Sequence, residues 1–120
     1  MAVTAASNDS ILDTIKKLLG YPDDDYFDKD IIIGINTSLS ILTQLGVGPS
    51  EGFSISDNST TWGELINDAR LNDVVTYVHQ KTRLIFDPPL SSSVADAMER
   101  TIKELEWRIN VATESIEEEG

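Results

Sequence analysis

The chemistry open to this chain is bounded by one histidine and no cysteine. A hydroxyl nucleophile needs a base, and His79 is the only imidazole. No Ser or Thr near it stands in a glycine-flanked turn of the kind that exposes a nucleophile. His79 lies beside Val78 in a helical pattern, where packing or surface duty is expected of it. Without cysteine, disulfides, thiolate nucleophiles and thiolate metal sites are excluded, and metal sets of His and Cys are excluded by count. The absence also fits a reducing compartment. Carboxylates are abundant, but a pair of acids works on a glycoside only across a cleft of defined width. Glu104 and Glu106 are two apart on a helix and point in different directions. Asp23-Asp24-Asp25 resembles half of a calcium loop. The calcium motif, however, needs alternating ligands, a central Gly and a distal bidentate Glu, and none of these follows. Consecutive aspartates suit a helix start, where they complement the dipole. Gly46-Val47-Gly48 follows a helix and lacks the third glycine of a dinucleotide cradle. No catalytic, cofactor-binding or metal residue is therefore expected, and the chain reads as a non-enzyme.

What remains is the chemistry of contact. Trp62 sits next to a turn, and Trp107 sits off the main apolar stripe of the last helical segment. Interfaces favour Trp, and cores favour it too. Trp62 stays open between the two. Trp107 leans toward an interface, because its helix has a complete core stripe without it. The formal net charge is −12. Residues 1–60 carry three basic and nine acidic side chains, and residues 61–120 carry six and twelve, so the excess is spread along the chain. Nucleic-acid binders cluster Lys and Arg to neutralise phosphates, and only Lys16-Lys17 and a scatter through the last two helices are present. Tight DNA binding is not expected. An acidic surface can still face DNA without gripping it, since like charges repel.

The elements that must position these residues are mainly helical. A chain of 120 residues favours one domain and can bury roughly two-thirds of its unfolded surface. No apolar run approaches the ~20 residues that span a bilayer. Met1–Ser10 has no basic start and no apolar centre, unlike a secretory signal; residues 1–9 read as a flexible arm. Ser10 caps a first helix whose face carries Ile11, Ile15, Leu18 and Leu19, and Gly20 stops it. The Asp23–Asp25 run would cap a second helix over about Tyr26–Leu45, roughly 30 Å long. Its stripe of Phe27, Ile31, Ile35, Leu39 and Leu42, widened by Ile32, Ile41 and Leu45, is broad enough to be buried on more than one side. Ile31-Ile32-Ile33 would also suit a strand, but the length of the pattern and Gly46 favour helix. Gly34 inside that helix costs ~1 kcal/mol relative to Ala unless close packing uses it. Phe53-Ser54-Ile55-Ser56 alternates with period two like a short strand. Thr61 and Glu64 form a reciprocal cap for a short turn carrying Trp62, Leu65 and Ile66. A third long helix opens at Asn72 or Asp73, presents Leu71, Val74, Val75, Val78 and Ile85 to the core, and stops at Asp87-Pro88-Pro89. Ser91–Ser93 caps the last, with Val94, Met98, Ile102, Leu105, Ile109 and Ala112 inward, and fraying is expected near Ser115. The expectation is a mainly α fold: a bundle of four main helices with a short β-like or turn segment between helices 2 and 3. Residues 10–114 form the domain, and residues 115–120 an acidic tail.

Four stretches, in order, carry a resemblance. They are Leu12-Asp13-Thr14-Ile15-Lys16-Lys17-Leu18-Leu19-Gly20; Ile41-Leu42-Thr43-Gln44-Leu45-Gly46-Val47-Gly48-Pro49; Leu84-Ile85-Phe86-Asp87-Pro88-Pro89; and Ile102-Lys103-Glu104-Leu105-Glu106-Trp107-Arg108-Ile109-Asn110. Together they resemble the small head–tail connector, or adaptor, proteins of long-tailed phages, especially those of Gram-positive hosts. The departures lie at the two ends. The resemblance implies a helical bundle assembled as a ring, typically of twelve copies, docked beneath the portal. DNA would pass through it without specific binding, into the next neck or tail component such as a stopper. It also implies a virion protein of the neck, made in the host cytoplasm, that catalyses nothing and holds no cofactor. On that reading the portal-facing candidates are Trp107, Arg108, Val111 and Ile116. The candidates facing the next neck component are Val47, Pro49, Phe53, Ile55 and Trp62, in the loop 47–61 and just after it. An acidic inhibitor or DNA mimic binding a basic partner is the competing reading, and the even spread of charge speaks against it.

Overall fold

A computed structural model describes residues 7–119. Its elements are α1 (Ile11–Leu19), α2 (Asp28–Gln44), α3 (Trp62–Leu65), α4 (Leu71–Phe86) and α5 (Ser92–Glu119). The four long helices are those expected, with α3 as the short capped turn. α4 is the centre of the packing, with α2 and α5 both lying along it and α1 closing against α2 and α4.

Local chemistry sets the boundaries. Ser10 Oγ accepts the Asp13 N–H at 3.2 Å, and Gly20 ends α1 at φ 94°, where a Cβ would be strained. Ser91 Oγ faces the Val94 N–H at 3.4 Å and opens α5. At α3 the Thr61 N–H donates to Glu64 Oε2 at 2.8 Å in the reciprocal cap.

The Asp23–Asp25 cap is corrected. α2 begins later, at Asp28, with Phe27 at the cap position and no side-chain cap bond. Asp28 and Asp30 occupy its first turn instead. Asp24 turns back to accept the Tyr26 N–H at 2.9 Å. Asp25 and Asp28 both reach Lys16 Nζ at 2.9 Å. Lys16 is buried, so the aspartates serve as its counter-charges and fasten α1 to the start of α2.

The core is one cluster running through Ile11, Ile15, Ile31, Ile35, Leu39, Leu42, Trp62, Val74, Tyr77, Val78 and Ile109. Gly34 proves to be a crossing point. A Cβ there would come 2.9 Å from Thr82 Cγ2, so its absence lets α2 and α4 approach closely. Phe53–Ser56 does not pair as a strand. The Asn36 side chain takes the partner's place, accepting the Ile55 N–H at 2.8 Å and donating to the Ile55 carbonyl at 3.0 Å. Among the described residues the one β-type pairing is an isolated bridge, Ser10 to Thr61.

Three expectations along the long helices shift. Ile85 and Val94, assigned to core faces, are exposed, because the end of α4 and the first turns of α5 run past the elements that would cover them. α5 continues to Glu119 rather than fraying near Ser115. Its 28 residues at 1.5 Å each reach about 42 Å, equal to the longest dimension of the molecule. Residues 1–6 of the expected arm and Gly120 of the expected tail lie outside the described residues. The remaining arm residues, 7–9, are bonded to the α3 region: Gly63 N–H to the Ser7 carbonyl at 2.6 Å and Trp62 N–H to the Asp9 carbonyl at 3.1 Å.

Candidate functional site

Among the described residues the fold brings no nucleophile and base together around His79. His79 is half-buried on α4. Burial first, and then the nearby Arg83 charge, push its pKa below 6.5, while a hydrogen bond to the Leu18 backbone works the other way. A surface pocket of about 590 Å³ lies between α2 and the loop after it, lined by Asn36, Ser40, Thr43, Gln44, Glu51 and Phe53 among others. It contains one carboxylate and no basic group. Among the described residues no group of three or more His, Cys, Asp or Glu could hold a metal ion. None of their helices is long and apolar enough to cross a membrane.

The sites this molecule offers are surfaces. On α5, Trp107 is 65% exposed, and Val111, one turn on, is also exposed. Both lie opposite the buried Ile102, Leu105 and Ile109. Arg108, beside them, faces Glu104 at 3.6 Å in solvent. Ile116 is exposed too, but nine residues are two and a half turns, so it lies on the other side of the helix from Trp107. The fold thus brings Trp107, Arg108 and Val111 together and leaves Ile116 apart, at the end of the core stripe.

The loop candidates divide. Val47, Ile55 and Trp62 are corrected: all three are buried. Trp62 is completely inside, with its Nε1–H donating to Thr14 Oγ1 at 3.1 Å on α1. The loop has to cover one end of the bundle, and its apolar side chains form that cover. Pro49 and Phe53 stay partly exposed.

Sequence reasoning missed a second apolar surface. Phe27, Ile33, Ile85 and Phe86 line an open groove between the start of α2 and the end of α4, with Asp30 on its edge. Ile33 is 60% exposed and neighbouring Tyr26 84%. Tyr21, Tyr26, Phe27 and Phe86 form an edge-to-face aromatic chain that includes two of its lining residues, with centroids 4.9 to 5.9 Å apart. The available signal was Ile33 itself, a third consecutive isoleucine lying off the α2 stripe.

Sequence reasoning also passed over the polar ties that fix α5. Arg70 donates to the Gly46 carbonyl at 3.2 Å, to Thr113 Oγ1 at 2.8 Å and to Asp68 at 2.7 Å. Its guanidinium holds the Asp68 carboxyl below the usual range. Tyr77 donates its hydroxyl to Glu106 at 2.7 Å, and burial, followed by that carboxylate, raises its pKa. Both ties leave the Trp107 side of α5 facing away from the bundle.

Comparison with known proteins agrees with a protein built of contact surfaces. No curated protein and no solved structure matches the chain. A family profile described as phage connector protein matches residues 11–115. That span runs from the first residue of α1 to within the last turns of α5. The chain belongs to the phage connector protein family, whose members are structural proteins of the phage neck and are generally not enzymes.

Proposed function

We propose that the protein is the adaptor of the neck: a ring of identical subunits, twelve by the family resemblance, seated between the portal and the next neck or tail component. The observation that carries this reading is apolar surface left uncovered on a folded chain that already has a complete core. Tyr26, Ile33, Leu90, Trp107, Val111 and Ile116 are all exposed. Isolated exposed apolar residues are ordinary, but groups of them on helix faces mark places where other proteins bind. The second half of α5, with Trp107, Arg108, Val111 and Ile116, supplies contacts in the assembly, the portal among them. Pro49 and Phe53 belong to the surface for the next component, a stopper or tail protein. The charge of −12 suits a channel wall that DNA must cross without being held.

The deciding experiment is co-assembly with the cognate portal. Since such a ring can require its partner to form, the purified chain is mixed with portal, and the complex is followed by sedimentation and electron microscopy. A ring on the portal's tail-side face is the expected result. No binding at any salt or pH would overturn the reading.

A further inference from the structure

We infer that neighbouring subunits meet head to tail, with Trp107 and Val111 on α5 of one copy seated in the Phe27, Ile33, Ile85 and Phe86 groove of the next. The inference rests on the ring reading and names the surfaces that would build it.

Placement is the first argument. α4 packs against both α2 and α5, and these two have little direct contact with each other. The groove on the α2–α4 edge and the outer face of α5 therefore lie on different flanks. Two unlike patches on different flanks make a heterologous contact, which repeats around an axis and can close a ring. A contact of either patch with itself would stop at a pair.

Size and chemistry are the second. The groove holds about 290 Å³ and is open. That is at the small end for a ligand pocket and suits a protruding side chain. An indole on a rigid helix is the kind of anchor such grooves take.

Charge is the third, and it selects the occupant. Residues 23–30, beside the groove, hold five aspartates and one lysine. Residues 100–114, around Trp107 and Val111, hold three cations and three carboxylates in a chain whose net charge is −12. Of those carboxylates, Glu106 is taken by Tyr77 and Glu104 faces Arg108. Among the described residues Arg100, Lys103 and Asp30 make no ion pair. Groove against groove would bring aspartates together, and α5 against α5 would bring cations together. Only α5 against groove joins opposite signs.

The cysteine-free chain makes the test clean. Val111→Cys and Ile33→Cys are placed singly and together in the full-length protein. Each keeps Trp107, and each site is exposed, so circular dichroism should match the parent. A short bismaleimide is then added. The expected result is a ladder of covalent oligomers from the double variant. The two singles should give a covalent dimer only when mixed. Adding Trp107→Ala to the double variant should cut the ladder about tenfold, the size of effect an anchor residue has. Homodimers from either single, or no ladder both from the chain alone and from the chain mixed with the cognate portal, would overturn the contact. A ladder from a chain that never binds portal would keep the contact and sink the adaptor reading. Portal binding without a ladder would do the reverse.

Discussion

Individual side chains in this protein act mostly by joining elements. Lys16 is a cation taken out of water, and its pairing with Asp28 and Asp25 raises its pKa above 10.5 against the effect of burial. It therefore stays charged across the physiological range. His79 behaves in the opposite way. Its folded-state pKa is depressed, so between that value and 6.5 the unfolded chain takes up a proton that the folded chain refuses. Stability must then fall as pH drops below 6.5, and stop falling once the folded state is protonated too. Melting temperature measured from pH 7.5 to 5 should decline more steeply in the parent than in His79→Gln. Parallel curves would show that His79 is solvated like any surface histidine.

The crossing of α2 and α4 is decided where Gly34 meets Thr82. Alanine at position 34 gains roughly 1 kcal/mol of helix propensity but forces a methyl against Thr82 Cγ2 in a packed interior, typically a loss of 1–3 kcal/mol. The new contact, 2.9 Å, is too short to be absorbed without movement, so the loss should win. Gly34→Ala is expected to destabilise by about 1 kcal/mol in urea unfolding, the net of those two effects. In a Thr82→Ser background, which lacks Cγ2, the same change should become neutral or stabilising. Additive effects would refute this account of the crossing. α5 depends on a different device. Arg70 reaches from the start of α4 to both Gly46 and Thr113, so Arg70→Met should leave helix content intact while amide exchange in residues 110–119 accelerates. Unchanged exchange there would mean apolar packing alone holds the end of α5.

At the scale of the whole molecule, the chain has finished its own core and still shows apolar surface. That separates folding from assembly. Trp107→Ala should leave melting unchanged to within about 0.5 kcal/mol, as for an exposed site, while reducing ring formation or portal docking. If the variant unfolds outright, Trp107 is a core residue and the division fails. The charge has the same logic. A chain of −12 repels its copies at long range, so association must rely on the few cations placed beside apolar surface. Of the cations not already engaged inside the fold, Arg100, Lys103 and Arg108 lie on the solvent side of α5.

The helices, their order and most of their ends were legible in the sequence, because caps, glycine stops, proline breaks and 3.6-residue apolar spacing act within a few residues of each other. Ser10, Gly20, Thr61 with Glu64, and Ser91 all do what their types dictate. The lack of any thiol chemistry was equally legible, being a matter of count. Tertiary structure decided where the apolar residues depart from the helical stripes. Trp62, Val47 and Ile55 carry no periodicity that marks them as a cover for the bundle. Ile85 and Val94 lie on correct core faces that run beyond their neighbours. The Lys16 aspartates, the Asn36–Ile55 pairing and the Arg70 tie each join residues nine or more positions apart, and local spacing contains no information about such meetings. The outer groove is likewise made by side chains on two helices that lie more than fifty positions apart in the sequence, so it came into view only once the helices were packed side by side.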